Sequence, residues 1–155
     1  MRAVHQIIGL VGWIASCFAV AWFGSQFMPG EWYAGLAKPD WTPPKSLFAP
    51  VWTILYTAMA IAAWLVWRKT GFSGAKTALI LFLAQLIFNG VWSWLFFGRH
   101  LIGIALLDII FLVILIILTA MYFWRISRPA GIIMLPYFTW VSFATILNFT
   151  LWRLN

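Results

Sequence analysis

Residues 106–118 read Leu-Leu-Asp-Ile-Ile-Phe-Leu-Val-Ile-Leu-Ile-Ile-Leu, and this stretch decides the fold class. Every residue in it except Asp108 is apolar, and the apolar run extends outward to about Leu101 and Trp124. About 20 such residues in a helix cross the hydrocarbon core of a bilayer. Strands of a membrane barrel alternate in polarity over about 10 residues, and this run does not alternate. The stretch therefore predicts a membrane-spanning helix.

The composition extends this prediction to the whole chain. Of 155 residues, 65% are hydrophobic and only 8% are charged, against about 25% charged in soluble domains. The net charge of +7 comes from Lys and Arg that lie singly or in pairs between apolar runs, as in the loops of membrane proteins. A soluble fold, a disordered tail and a nucleic-acid partner are therefore excluded. Cys17 is the only cysteine, and His5 and His100 are far apart, so we expect neither a disulfide framework nor a metal site, and no cofactor.

Charges, prolines and glycines divide the chain into five apolar segments, at about 7–28, 47–67, 77–97, 101–124 and 130–152. They predict one all-α domain over residues 1–155, a bundle of five transmembrane helices in which short connections place consecutive helices side by side. Only the connection at 29–46 is long enough to form a structure of its own. The basic residues of the loops favour an N-terminus inside and the 29–46 loop outside, because one side carries six of them and the other four: Arg2, Arg68, Lys69, Lys76, Arg125 and Arg128 against Lys38, Lys45, Arg99 and Arg153.

Polar side chains gather on the side of the long loop. At helical spacing, three predicted helices each have one face of amides and aromatic rings: Trp52, Tyr56 and Met59; Gln85, Asn89, Trp92 and Ser93; Trp140, Ala144 and Asn148. Flat apolar rings with a few directional polar groups are typical of a small-molecule pocket. The same amides can instead only join helices, and the sequence leaves both interpretations open.

Asp108 is the only acid inside a predicted span, which makes it a functional candidate by default. We expect a structural role, in which it hydrogen-bonds a neighbouring helix or pairs with Arg99 or Arg153. A proton relay would need further titratable groups at depth, and the spans provide none in series.

The long loop combines rigidity with apolar mass. Pro39, Pro43 and Pro44 restrict its backbone, and Trp32, Tyr33 and Trp41 carry rings that would not remain in water. We expect residues 29–46, including Lys38, to fold over the mouth of the bundle as a lid. A loop that merely caps the helix ends at the interface would have the same features.

This loop and seven later motifs together resemble the signature of the translocator protein family, the tryptophan-rich sensory proteins. The motifs are Trp32-Tyr33-Ala34-Gly35-Leu36 with Lys38-Pro39-Asp40-Trp41-Thr42-Pro43-Pro44, Pro50-Val51-Trp52-Thr53 with Leu55-Tyr56, Gln85-Leu86 with Asn89, Phe96-Phe97-Gly98 with Arg99, Leu107-Asp108, Leu135-Pro136-Tyr137 with Trp140, Phe143-Ala144-Thr145 with Leu147-Asn148, and Trp152-Arg153. They cover nearly the whole chain in order.

The resemblance implies a five-helix membrane protein, usually dimeric, that binds porphyrins, sterols and benzodiazepine-type or isoquinoline ligands beneath the first loop. Carried over by motif, its ligand contacts fall at Tyr33, Trp52, Asn89, Trp140 and Ala144; the helix faces derived above add Asn148. The sterol motif of animal members fails here because Phe149 stands at its central position. We therefore expect a bacterial-type member, in a bacterial cell membrane, that handles tetrapyrroles rather than sterols.

Three functions follow for such a chain. The first is a membrane receptor or carrier for tetrapyrroles with a regulatory or stress-sensing role. The second is a catalyst of light- and oxygen-dependent porphyrin breakdown, for which the resemblance implicates Trp52 and Trp140. The third is a transporter, against which the absence of an inverted repeat and of ion-coupling residues argues. For the dimer, Gly12 with Ser16 and Ala15 with Ala19 have the small-xxx-small spacing of close helix contacts, inside one chain or between two.

Overall fold

Within residues 2–155 of the computed structural model, five helices are long and apolar enough to cross a membrane. They are α1 (Ala3–Ser25), α3 (Phe48–Gly74), α4 (Lys76–Ser93, continued by a π-helical turn at Trp94–Gly98), α5 (Ile102–Ile126) and α6 (Arg128–Leu154). A short helix, α2 (Glu31–Ala34), and a 3₁₀ turn (Lys45–Leu47) lie between α1 and α3. The structure describes residues 2–155. The prediction of an all-α integral membrane bundle is confirmed.

The helices extend beyond the apolar segments at most of their ends. α1 begins at Ala3 and ends at Ser25, so its helical part lies earlier than the predicted 7–28. α3 continues past the predicted end at residue 67 and bends at Gly71, where φ is 71°, a left-handed conformation that glycine adopts without steric cost. Hydropathy marks only the part of a helix within hydrocarbon, whereas backbone hydrogen bonding continues through the headgroup region.

The helices form a closed ring in the order α1, α3, α6, α5, α4. Spans joined by short connections are neighbours, as predicted, for α4 with α5 and α5 with α6. The helices α1 and α3, which the long loop joins, are also neighbours. The prediction is wrong for α3 and α4, which are joined at Ala75 but touch only slightly, because α1 packs against both of them. α3 therefore has α1 and α6 as its main neighbours, and both line the site described below.

The interior is packed with small and aromatic residues. Ala60, Ala62 and Ala63 of α3 are fully buried, and small side chains let helix backbones approach closely in a membrane. Phe82 of α4 stacks on Phe123 of α5 with ring centroids 5.7 Å apart. The outer surface carries large exposed apolar side chains on every spanning helix, as contact with lipid requires.

Candidate ligand-binding site

The lid loop, residues 29–46, is held over one end of the bundle by aromatic contacts. Trp32 stacks on His100, with centroids 4.1 Å apart and planes 7° from parallel, and also meets Phe96 edge to face. His100 has a φ of 59°, which is uncommon outside glycine. Trp41 packs edge to face on Phe143 of α6. The loop thus rests on α6 and on the α4–α5 connection.

Backbone and polar contacts fix the rest of the lid loop. Lys38 donates through Nζ to the carbonyls of Ala34 and Leu36, and its ammonium lies 4.8 Å from the centroid of the Tyr33 ring. The carbonyl of Pro39 accepts the backbone N–H and the hydroxyl of Thr42. The carbonyl of Pro44 accepts the N–H of Leu47 and so closes the 3₁₀ turn that leads into α3.

The far end of α6 clamps the middle of the lid loop. The side-chain oxygen of Asn155 accepts the N–H of Ala37 at 3.0 Å, and its amide nitrogen donates to the carbonyl of the same residue at 3.0 Å. The amide also donates to the carbonyl of Leu151. One side chain therefore satisfies both backbone groups of a lid residue that has no helix or strand of its own.

A cavity of about 390 Å³ lies beneath the lid loop. Side chains of α1, α3, α4, α6 and the lid line it, and about half of the lining residues are aromatic. Within the described part of the chain, no lining residue carries a formal charge. A cavity of this kind accepts an apolar, flat molecule and offers it few directional contacts.

Five of the six predicted ligand contacts line this cavity: Tyr33, Trp52, Trp140, Ala144 and Asn148. Trp52 projects from α3, and Trp140 and Ala144 from α6, its neighbour in the ring. Of the predicted lid residues, Pro43 lines the cavity, whereas Trp32, Lys38, Pro39, Trp41 and Pro44 lie outside its lining and hold the loop in place.

Tyr33 provides an unused polar group at the cavity. The residue is only 3% exposed, its ring lies among Phe48, Phe96 and Phe97, and its buried hydroxyl has no hydrogen-bond partner. Burial raises the pKa of Tyr33 above its ordinary value, so the phenol remains a protonated donor at neutral pH. A buried donor without a partner is costly, and a ligand acceptor in the cavity would satisfy it.

Asn89, the sixth predicted contact, lies outside the cavity lining in a buried hydrogen-bond chain. The hydroxyl of Tyr56 donates to the Asn89 side-chain oxygen, and the Asn89 amide donates to the Tyr137 hydroxyl at 2.8 Å. Tyr137 donates to the Gln85 oxygen at 2.7 Å, and the Gln85 amide contacts the sulfur of Met59. The chain joins α3, α4 and α6, and only Tyr56 among its members lines the cavity.

Asn148 combines lining and structural roles. Its side-chain oxygen accepts the indole N–H of Trp92 at 2.9 Å, and its amide donates to the carbonyl of Ile102 at 3.0 Å. These bonds connect α6 to α4 and to the first turn of α5, and they hold the Trp92 ring against the cavity. All three amides that the sequence singled out, Gln85, Asn89 and Asn148, are thus paired within the protein.

The predicted pairing of Asp108 is wrong. Asp108 is 8% exposed, and its Oδ2 is buried without a hydrogen-bond partner among the described residues. The two arginines proposed as partners are exposed at the membrane surface, and the Arg99 guanidinium lies 5.9 Å from the Trp94 ring centroid instead. Across residues 2–155, no three His, Cys, Asp or Glu side chains come together in a way that could hold a metal ion.

The cavity-lining residues of α1 were not predicted from the sequence. Phe18, Ala21, Trp22 and Ser25 line one wall of the cavity, and they recur at the three- and four-residue spacing of one helix face. That periodicity was visible in the sequence, but three of the four residues are apolar or aromatic and Ser25 lies at the helix end, so little distinguished this face from lipid-facing side chains. Phe96, Phe97 and Phe143 were missed as lining residues for the same reason.

Comparison with known proteins identifies the family. The sequence matches the TspO/MBR family over residues 13–153. The chain belongs to the TspO/MBR family. It is 43% identical to the tryptophan-rich protein TspO of Chlorobaculum tepidum, over 97% of this chain and 98% of that protein. It is 39% identical to the translocator protein of Homo sapiens, over 85% of this chain and 81% of that protein, and 37% identical to the tryptophan-rich sensory protein of Cereibacter sphaeroides, over 92% and 88%.

TspO/MBR membership and five spanning helices make this chain an integral membrane protein surrounded by lipid. Its twelve tryptophans agree with the tryptophan-rich names of its relatives, and the sensory and translocator names indicate a receptor-like role in general terms.

Proposed function

We propose that this protein is a membrane receptor or carrier that binds flat, hydrophobic ring ligands, above all tetrapyrroles such as protoporphyrin IX, in the cavity under the lid loop. Benzodiazepine-type and isoquinoline ligands have the same flat apolar character. The observation that carries the proposal is an uncharged, aromatic-lined cavity, one of whose lining residues, Tyr33, has a buried hydroxyl without a partner among the described residues.

The shape and size of the cavity favour a ring ligand. Its volume of about 390 Å³ is within the range of about 300–1,000 Å³ that is usual for small-molecule sites. Trp52 and Trp140 come from adjacent helices and expose ring surface to the cavity. Stacking against such rings contributes about 0.5–1.5 kcal/mol per pair beyond area burial.

The polar groups at and around the site also suit a tetrapyrrole. The Tyr33 hydroxyl can donate to a ring nitrogen or to an oxygen of the ligand. Because the cavity is at the lower end of the usual size range, the propionates of protoporphyrin would extend toward its rim. The lid loop carries Lys38 and Lys45, cations that can pair with carboxylates.

Binding is tested by titrating the purified protein with protoporphyrin IX in the dark and following the porphyrin absorbance. Trp140→Leu removes a cavity ring, and Trp124→Leu is its matched control because Trp124 is exposed and outside the cavity lining. We expect saturable binding that Trp140→Leu weakens about tenfold, equivalent to ~1.4 kcal/mol, and that Trp124→Leu leaves unchanged. Affinity that survives Trp140→Leu in folded protein would contradict the site. Uptake by sealed vesicles separates a carrier or transporter from a receptor.

A second candidate function is oxidative breakdown of porphyrin. The observation that favours it is a contiguous group of oxidisable rings at the cavity: Trp52 lies 5.5 Å from Tyr56 and 6.3 Å from Tyr137, centroid to centroid. Turnover in darkness with a defined oxidant, abolished by Trp52→Phe, would support catalysis. Loss of porphyrin only in light, at the rate seen with albumin-bound porphyrin, would rule it out.

We also propose a homodimer in a bacterial cell membrane, with the N-terminus inside and the lid loop outside. Gly12, Ala15 and Ala19 of α1 are exposed, and a side chain at Gly12 would meet no atom within 4 Å. These three small residues therefore do not pack against another helix of the same chain, and they are free to contact a second copy. Gly12→Ile should weaken dimers in a crosslinking assay, and labelling of single cysteines at the two chain ends tests the orientation.

A further inference from the structure

The cavity wall differs sharply in exposure from one side to the other. On α4 and α6, none of its lining residues is exposed: Phe96, Asn148 and Leu151 are buried, and others such as Trp140 and Ala144 are half-buried. On α1 and the first turns of α3, in contrast, Trp22 is 69% exposed, and Ala49 and Thr53 are also exposed. The cavity is thus walled by protein on one side and open between α1 and α3 on the other.

The lid loop covers the end of the same cavity. Tyr33, which forms its upper wall from the lid loop, is only 3% exposed. The Asn155 clamp on Ala37 and the Trp32–His100 stack hold the loop down. An opening at the side combined with a covered end directs the cavity toward the bilayer.

The depth of the opening in the bilayer follows from its position along α1 and α3. Trp22 lies three residues before the end of α1, and Ala49 and Thr53 lie in the first two turns of α3. A helix rises about 1.5 Å per residue, so the opening lies within about 10 Å of the helix ends. This is the boundary between headgroups and acyl chains, where tryptophan is enriched.

The opening presents an apolar surface although it contains two hydroxyls. Thr53 donates to the carbonyl of Ala49 at 2.7 Å, and Ser25 donates to the carbonyl of Trp22 at 2.6 Å. Because both hydroxyl hydrogens are used within their own helices, neither needs water, and hydrocarbon can fill the gap without leaving a donor unpaired.

We propose that the gap between α1 and α3 is a lateral portal, through which the ligand exchanges between the cavity and the lipid leaflet on the lid side. This inference rests on the proposed function and narrows its ligand class. The ligand is a membrane-partitioned amphiphile whose flat ring travels at acyl-chain depth while its polar edge remains at headgroup level. A water-soluble molecule delivered from above would have to displace the lid loop first.

The portal is tested without any porphyrin, so that its failure is distinct from failure of the binding proposal. Cys17→Ala removes the native thiol, and Ala144→Cys carries a nitroxide into the cavity. In lipid vesicles, electron paramagnetic resonance measures collisions of the nitroxide with oxygen, which concentrates in hydrocarbon, and with a nickel chelate confined to water. We expect frequent collisions with oxygen and rare collisions with nickel.

Two bulky substitutions on α3 make the test specific. Thr53 and Thr57 are both exposed, and each bonds to the carbonyl four residues earlier, but only Thr53 lines the cavity. Thr53→Trp should therefore lower the oxygen collision frequency at position 144, and Thr57→Trp should leave it unchanged. Nickel collisions that exceed those of oxygen, or oxygen collisions unaffected by Thr53→Trp, would overturn the portal. Unchanged nitroxide line shapes in both variants verify that the bundle is folded.

Discussion

At Tyr33 the requirements of folding and of binding are opposed. Its hydroxyl is buried without a partner, and an unsatisfied buried hydroxyl costs about 1–3 kcal/mol. A residue selected for packing alone would be phenylalanine, which fits the same aromatic surroundings of Phe48, Phe96 and Phe97. The hydroxyl is best explained by a ligand that accepts its hydrogen bond.

Tyr33→Phe should therefore change stability and affinity in opposite directions. We expect the ligand-free variant to be at least as stable as the parent in thermal unfolding, because the unpaired donor is gone. Its affinity for protoporphyrin should fall by up to about tenfold, since one hydrogen bond contributes about 0.5–1.5 kcal/mol. A drop in ligand-free stability, or an unchanged affinity, would assign the hydroxyl to a role within the protein.

Substitution of Asn89, in contrast, should lower the stability of the ligand-free protein. Asn89→Leu leaves the hydroxyls of Tyr56 and Tyr137 without their amide partner, which should reduce the free energy of unfolding by about 1–3 kcal/mol. Gln26→Leu is the control, because Gln26 is an exposed amide that bonds only to its own helix and to Ser25. Thermal unfolding in detergent measures the stability of both variants. Equal melting temperatures for the two variants would show that the buried chain does not stabilise the bundle.

Some residues of the site could be predicted from the sequence, and others could not. Helical spacing placed Trp52, Trp140 and Asn148 on the aromatic and polar faces of their helices, because a residue's face on its helix is a local property. Whether Asn89 lines the cavity or the layer beneath depends on which tyrosines reach it from other helices. Asp108 has no partner because its position on α5 and the position of Arg99 are set by separate packing contacts, which no spacing within one helix encodes.

Among the elements, the lid loop is held at two points by different kinds of interaction. Near α2 it rests on aromatic stacking with His100, and near Ala37 it rests on two hydrogen bonds from one side chain, Asn155. Because the loop contains little regular structure, the second contact is the only polar anchor that reaches it from another helix in the described chain. The mobility of the loop should depend on it.

Asn155→Ala should loosen the lid loop without unfolding the bundle. Loss of both hydrogen bonds removes about 1–3 kcal/mol of local stability, so amide hydrogen exchange in residues 29–46 should accelerate about 5- to 150-fold while exchange in α4 and α5 is unchanged. Arg153→Ala is the control, since Arg153 is exposed at the same end of α6. Protection of the lid loop that is identical in both variants would mean that the aromatic contacts alone hold it.

For the molecule as a whole, hydropathy predicted the number of spans and the fold class, because each span is a continuous apolar run. It could not predict the ring order α1, α3, α6, α5, α4, since short connections favour sequential neighbours while packing placed α1 between α3 and α4. That order decides the site. It brings α3 beside α6, so that Trp52 and Trp140 share one cavity, and it leaves the seam between α1 and α3 facing lipid.

If a flat ligand occupies the cavity under the lid loop, a side chain that fills the cavity should exclude the ligand. Ala144→Phe adds a ring at a half-buried lining position, and Ile146→Phe places the same ring at an exposed position of α6 outside the lining. Each variant is titrated with protoporphyrin IX in the dark, in lipid nanodiscs. We expect Ala144→Phe to abolish saturable binding and Ile146→Phe to bind like the parent. Undiminished saturable binding by folded Ala144→Phe would contradict ligand binding in this cavity.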